Sequence, residues 1–465
     1  MSGMRSRRNR LELATLGLLA VLATGASSLQ AAEQPPNIIF LLTDDQRWDT
    51  LGVNGNPIIR TPNIDRLARE GVRFDNMFVT TSICATSRAS FLTGQYARRH
   101  GIWDFDAGLT EEQLADSYVG RLKQAGYHLG FVGKWGVADP PRDYFDYDRA
   151  FGGQGQYRLE VDGRERHLTS VMGDQIEEFL GEAPADRPFC LSVSFKAAHV
   201  QDSYDLSQEP FPYDRRLEDL YRDVAIAPPS SALPALFERL PEFLKNSEGR
   251  LRWAIRFWGP ARYQESVKGY YRLISGVDDV VGRLRRGLDE RGLSDRTAIV
   301  FAGDNGFFLG EFGLAGKWTP HEASIRVPLV IFDPRVSEEH ADRRVDALAL
   351  NIDVAPTLLE LAGLAPGDEM QGQSLVPLLR DDAAGWRSSF FYEHLFVHPR
   401  IPRCEAVRTQ GWKYIRYLDT DPLYEELYDL ERDPQELQNL AAVSGYAAPL
   451  AELRQARGKW RETVE

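Results

Sequence analysis

Several stretches of the chain are largely apolar and end abruptly in polar residues. The clearest are Asn37-Ile-Ile-Phe-Leu-Leu-Thr, Phe189-Cys-Leu-Ser-Val-Ser-Phe and Thr297-Ala-Ile-Val-Phe-Ala-Gly. Runs of this kind, with little polar alternation, predict strands covered on both faces, as in a parallel sheet. His128-Leu-Gly-Phe-Val-Gly-Lys-Trp predicts a further strand and turn, and another begins at Val72-Arg-Phe. Between them the period changes. Pro62 to Gly71 predicts a helix stopping at glycine, and Gly120 to Gly126 a second. From Tyr263 to Leu293, apolar residues recur at three- and four-residue steps (Leu273, Val277, Val280, Val281, Leu284), which predicts one long amphipathic helix. Phe237 to Phe257 also predicts a helix. Pro140 to Tyr157 keeps no period and is expected to be a long loop. From about Ala384 the pattern alternates, with aromatics, in Ser389-Phe-Phe-Tyr-Glu-His, Glu405-Ala-Val-Arg and Trp412-Lys-Tyr-Ile-Arg-Tyr, as antiparallel strands do. The expected fold is α/β. A large, mixed, mostly parallel sheet lies between helices, followed by a small C-terminal α+β subdomain with an antiparallel sheet.

At 465 residues the chain is large for one core, which agrees with that division. The expected boundaries are a catalytic domain at 33–383, containing an insertion at 203–262, and a C-terminal subdomain at 384–465. The insertion is charged, aromatic and Pro/Ser-rich, and long insertions near sites set specificity. Residues 1–32 have the form of a signal peptide: Arg5, Arg7, Arg8 and Arg10, then the apolar stretch Leu13 to Ala26, then Ala31-Ala32 for cleavage. No other run reaches membrane length, so the expectation is a periplasmic or secreted protein without stable membrane insertion. A net charge of -13 argues against a nucleic-acid partner. It does not exclude an anionic substrate, because local cations can invert the potential inside a pocket. Three scattered cysteines, Cys84, Cys190 and Cys404, form no disulfide framework, and Cys190 sits in a predicted buried strand.

In open α/β sheets, ligands bind beyond the carboxyl ends of the strands. There the first strand delivers Asp44 and Asp45, and the late strand delivers Asp304 and Asn305. Adjacent carboxylates repel unless a cation lies between them. Three carboxylates and an amide oxygen form a hard-oxygen site suited to Ca²⁺ or Mg²⁺. Cys84 is placed at the start of a short helix, four residues before Arg88, in positive potential that is expected to depress the thiol pKa.

The run Cys84-Ala-Thr-Ser-Arg-x-x-x-Leu-Thr-Gly94 resembles the signature of the type I, formylglycine-dependent sulfatases, an arylsulfatase-like family of the alkaline phosphatase superfamily. The resemblance covers nearly all of residues 35–440, with gaps near 140–170 and 203–262. It implies an alkaline phosphatase-like fold and hydrolysis of sulfate esters, on a sulfated carbohydrate or polysaccharide. It implies that a formylglycine-generating maturation enzyme oxidises Cys84. It implies that Asp44, Asp45, Cys84, Asp304 and Asn305 hold a divalent metal, usually calcium. It places Arg88, Lys134 and Lys317 on the sulfate, and His199 on the sulfate or its leaving oxygen. Two positions depart from the pattern. Thr86 stands where the family has Pro or Ala, and Gly136 follows Gly-Lys134-Trp where the family has histidine. His100, just after the cysteine helix, is the candidate to replace that histidine. Two alternatives remain: a phosphonate monoester hydrolase or phosphodiesterase of the same superfamily, and a sulfated-glycan-binding protein that never matures Cys84.

Overall fold

The structure is a computed structural model that describes residues 35–336 and 338–464. The expected signal peptide lies outside the described residues. Nine strands form one sheet: β1 (Asn37–Thr43), β2 (Val72–Phe78), β3 (His128–Lys134), β4 (Tyr147–Phe151), β5 (Phe189–Ser194), β6 (Thr297–Gly303), β7 (Arg326–Phe332), β8 (Arg343–Val345) and β9 (Ala349–Leu350). Their order is β8-β2-β7-β6-β1-β5-β3-β4, with β9 also beside β2. Only β7 runs against its neighbours, β2 and β6; the other pairs are parallel. Every residue of β1, β5 and β6 is buried, which is why these strands read as apolar runs without a polar face.

Successive residues of β1 feed opposite cores, as a two-residue period requires. Ile39 and Leu41 join Leu273, Val277 and Val281 from the long helix α4 (Pro260–Glu290) and Leu67 from α1 (Pro62–Glu70). Phe40 and Leu42 join Phe91 and Leu92 from α2 (Cys84–Thr93), and Leu358 and Leu359 from α5 (Val354–Leu361). The C-terminal sheet is an antiparallel meander of β10 (Ser389–His394), β11 (Cys404–Thr409), β12 (Trp412–Tyr417) and β13 (Glu425–Asp429). Its apolar residues share the second core, with the Phe390 ring 5.1 Å from Phe78. The last helix is α6 (Ala447–Thr463). Among the described residues no helix is long and apolar enough to cross a membrane.

The expected helix over 237–257 is instead three pieces: Pro234–Glu238, Glu242–Lys245 and α3 (Glu248–Arg256). Pro241 cannot continue a helix, and Ser247 starts a new one, its side chain accepting from the Arg250 amide at 3.3 Å. The expected loop at 140–157 contains strand β4. It lies at the sheet edge beside β3 alone, with Tyr147 and Ala150 buried and Arg149 exposed, so its apolar signal is weak.

Candidate active site

Three adjacent strands, β6, β1 and β5, end side by side. The Asp304 amide donates to Thr43 O at 2.8 Å, and the Asp44 amide to Ala197 O at 3.0 Å. One register therefore brings together Asp44 and Asp45, Asp304 and Asn305, and His199 just beyond β5. Asp45 adopts a left-handed backbone (φ 56°), a conformation aspartate tolerates better than most residues and one found at functional turns.

Cys84 is the first residue of α2 and is buried, 1% exposed. Its Sγ lies 3.3 Å from Asp44 Oδ1 and 2.6 Å from Lys317 Nζ, which also pairs with Asp45 Oδ1. Lys134, at the end of β3, donates to Asp44 Oδ2 at 2.5 Å and to Gln154 Oε1 at 2.8 Å. The expected depression of the thiol pKa does not occur. Burial and then the Asp44 carboxylate push the Cys84 thiol up, outweighing Lys134 and Lys317. As a free thiol Cys84 is a poor nucleophile.

Arg88 lies one turn after Cys84 on the same helix. Its Nε donates to Asp304 Oδ2 at 2.9 Å, one terminal nitrogen to Asp44 Oδ2 at 3.3 Å, and the other to Lys134 O at 2.9 Å and to Ser194 Oγ. With those donors committed, Arg88 ties the two carboxylate strands together rather than facing the pocket. Burial opposes ionisation of Asp44, but Lys134, His199, Arg88 and Lys317 together hold its carboxyl well below the usual range. Burial, with Asp44 beside it, pushes Asp304 up to about 6. The Asn305 amide nitrogen donates to Asp45 Oδ1 at 2.6 Å, whereas its Oδ1 is buried without a protein partner.

That orphaned oxygen fits a cation, because a buried acceptor without a donor is otherwise costly. Oxygens of Asp44 and Asp45 lie together with Cys84 Sγ and a His199 nitrogen, all within 4.8 Å of one another, as one potential metal-binding group. The Asp44 and Asp45 carboxylates and the unpartnered Asn305 oxygen suit a hard divalent metal.

His199 Nδ1 lies 2.7 Å from the Val200 carbonyl. A carbonyl only accepts, so Nδ1 carries the hydrogen and Nε2, 3.6 Å from Asp45 Oδ2, is the nitrogen with an open lone pair. Burial lowers the His199 pKa, partly offset by Asp45 and Asp44. The structure does not bring His100 to this cluster. Its Nε2 is 3.1 Å from Ser90 Oγ, its Nδ1 accepts from the Ile102 amide, and burial alone pushes it down to about 3. Neither nitrogen is left to replace the histidine absent at Gly136. Gly136 itself has φ +79°, and a Cβ there would meet Arg88 Cδ at 2.6 Å, so the Arg88 stem fills that space. Thr86 is buried with its hydroxyl unpartnered.

A pocket of about 280 Å³ opens over Cys84, His199 and Lys317. Its walls include residues that motif reading missed. Asp202 receives Arg252 at 3.1 Å and Arg256 at 2.9 Å; Glu248 receives Arg252 at 2.8 Å and Arg400 at 2.7 Å. Arg252 lies over the Trp318 ring at 5.1 Å. Phe396 and His398 come from the C-terminal subdomain, stacked with centroids 6.0 Å apart. No pattern in the sequence joins 396–401 to the site, whereas Glu248 and Arg252 belong to the 203–262 insertion that the sequence offers as a specificity region, and Trp318 is next to Lys317.

A family model described as Sulfatase matches residues 36–364, a span that contains every residue of the cluster. The chain belongs to the sulfatase family. Members are sulfuric ester hydrolases, and a second model, N-sulphoglucosamine sulphohydrolase, C-terminal, matches residues 310–462 of this sulfatase. An N-acetylglucosamine-6-O-sulfatase of Bacteroides thetaiotaomicron is 29% identical over 93% of this chain and 88% of its own. A solved structure of a protein in complex with its substrate D-glucosamine-2-N,6-O-disulfate superposes with a TM-score of 0.78 at 26% identity, covering 93% of this chain and 98% of that one. A phosphonate monoester hydrolase of Agrobacterium radiobacter superposes at 0.73, covering 92% and 96%; at 24% identity it speaks for the fold alone. Both structures agree with the mixed sheet and C-terminal antiparallel sheet described above.

Proposed function

We propose that this sulfatase hydrolyses sulfate esters on a sulfated carbohydrate, with Cys84 oxidised to formylglycine as nucleophile and calcium in the carboxylate site. The observation that carries the proposal is the placement of Cys84 between Asp44 and Lys317 at the floor of the pocket. A thiol with a raised pKa has no evident use there, whereas a hydrated aldehyde has two hydroxyls that need such neighbours. The relatives named for N-acetylglucosamine-6-O-sulfatase activity and for a disulfated glucosamine substrate support a carbohydrate. The arginine-rich start supports export to the periplasm or beyond.

One hydroxyl of the hydrated aldehyde attacks sulfur, and the Asp304 carboxylate accepts the proton. Lys134 and Lys317 hold the non-bridging oxygens while Arg88 fixes Asp44 and Asp304 around them. The bond from sulfur to the alcohol oxygen breaks as His199, in its protonated form, delivers the Nε2 proton to that oxygen. Neutral His199 Nε2 then takes the proton of the second hydroxyl, the carbon–oxygen bond to sulfate breaks, the aldehyde reforms, and sulfate leaves. A bound divalent metal supplies Lewis-acid stabilisation of the negative charge that develops.

Peptide mass spectrometry across Cys84, on protein made with a maturation enzyme, tests the first step; the expected product has exchanged H₂S for O. Turnover of matched sulfate and phosphate esters tests the second. A persistent thiol, or faster phosphate hydrolysis by the aldehyde form, would overturn the proposal.

A further inference from the structure

One side chain in the pocket, the Gln154 amide, is supplied by neither the sequence motifs nor the family assignment. Gln154 lines the same pocket as Cys84, His199 and Lys317. Its Oε1 is 2.8 Å from Lys134 Nζ. An ammonium group only donates, so the amide atom facing it must be the oxygen. That contact fixes the amide flip and turns the NH₂ group away from Lys134. Among the described residues, Nε2 has no protein acceptor. The segment around it is anchored at several points. Lys196 Nζ donates to Gly155 O at 2.9 Å, and the Tyr157 hydroxyl donates to His199 O at 2.6 Å. Lys196 also lies over the Tyr157 ring at 4.8 Å. Gln154 is thus held against a catalytic lysine on one side and tied through its neighbours to the His199 loop on the other.

Opposite it, the Gly136 position has no side chain and its space is taken by the Arg88 stem. Arg88 spends its donors on Asp304, Asp44, Lys134 O and Ser194. The oriented, unspent N–H groups beside Lys134 are therefore those of Gln154. We propose that Gln154 is a catalytic residue whose Nε2 donates to a non-bridging oxygen of the sulfate group, completing the anion site with Lys134 and Lys317. This rests on the sulfatase reading above, and the experiment separates the two.

Three proteins are compared: wild type, Gln154→Ala and Gln154→Glu, each with Cys84 conversion checked by mass spectrometry. The readouts are kcat/KM on an aryl sulfate and the dissociation constant for inorganic sulfate. Loss of one hydrogen bond to a charged group predicts a fall of about 10- to 100-fold in kcat/KM for Gln154→Ala. Sulfate affinity is expected to weaken in the same variant. Gln154→Glu keeps the length but replaces the donor with a carboxylate that repels sulfate. Its kcat/KM is expected to fall at least as far, and to recover relative to wild type as pH drops and the introduced carboxyl gains a proton it can donate. A role limited to holding Lys134 through Oε1 would instead be kept by Gln154→Glu, which presents an oxygen to the same ammonium. If Gln154→Ala stays within about threefold of wild type in both readouts, or Gln154→Glu shows no relative gain at low pH, the proposal is overturned. Absence of turnover by the converted wild type would instead defeat the sulfatase reading, while sulfate binding would still test Gln154.

Discussion

Two clusters of charge are buried in this molecule, and they solve the same electrostatic problem in different ways. In the C-terminal subdomain, Lys413 (fully buried) donates to Glu436 at 2.6 Å and lies 2.8 Å from Glu322, which also receives Arg408 at 3.2 Å. The Glu322 amide closes the set on Glu436 at 2.9 Å. Arg326 also lies 3.7 Å from Glu322, so two carboxylates meet three cations and the charges are spent on one another. At the ends of β1 and β6, three carboxylates meet Arg88, Lys134 and Lys317, yet the set is not closed. The Asn305 oxygen lacks a donor, His199 keeps one nitrogen for proton exchange, and a potential nucleophile lies among them beneath a pocket. Burial and ion pairing are common to both. What separates the catalytic cluster is unspent bonding capacity aimed at one space.

The comparison is sharpest at Cys84. Cys84→Ala is expected to lower sulfate-ester turnover by at least about 10³-fold, as loss of a nucleophile does. Its melting temperature should stay near wild type, because a small buried side chain is exchanged for a smaller one. A turnover loss below tenfold would place the chemistry elsewhere. Lys413→Met should do the reverse. It leaves Glu322 and Glu436 buried without their shared cation, a change that costs about 3–5 kcal/mol. Urea denaturation should show that loss, with kcat of the folded fraction unchanged. If activity fell in proportion, the two clusters would be coupled.

Metal tests the open cluster alone. Calcium added to chelator-treated protein at about 100 times its dissociation constant should stabilise it by about 2.7 kcal/mol. Asp45→Asn should abolish that rise in melting temperature, while Lys413→Met should keep it. The smallest effect is a pH slope from Glu426, which lies beside the closed cluster. Burial and then Glu436 push Glu426 up to about 8. A carboxyl with a raised folded pKa contributes stability that is fully present below its unfolded value and lost as pH rises through the folded one. Melting temperature should therefore fall between about pH 5 and pH 8, and Glu426→Gln should flatten that fall. An unchanged slope in this variant would assign it to other groups.

Much of this was legible in the chain itself. Local sequence determined the continuous apolar runs of β1, β5 and β6, the period of α4, the alternation of β10 to β12, and the short motifs carrying Cys84, Lys134 and Lys317. Each depends on residues within one element, where burial and period leave a direct trace. Strand ends also announced Asp44, Asp45, Asp304 and Asn305, because polar residues after a buried strand have few other places to go. What only the tertiary structure decided depended on distant partners. The Cys84 thiol is pushed up by burial and then by Asp44, forty residues away, which lies against it. Arg88 is drawn onto carboxylates from two strands, and His100 turns to Ser90 and Ile102 instead of the cluster. Gln154, Asp202 and His398 reach the pocket from segments with no periodicity and no motif, and Glu248 from a helix of the 203–262 insertion. A side chain's pKa and hydrogen-bond partners are properties of its surroundings, and those surroundings are assembled from residues that the linear order keeps apart.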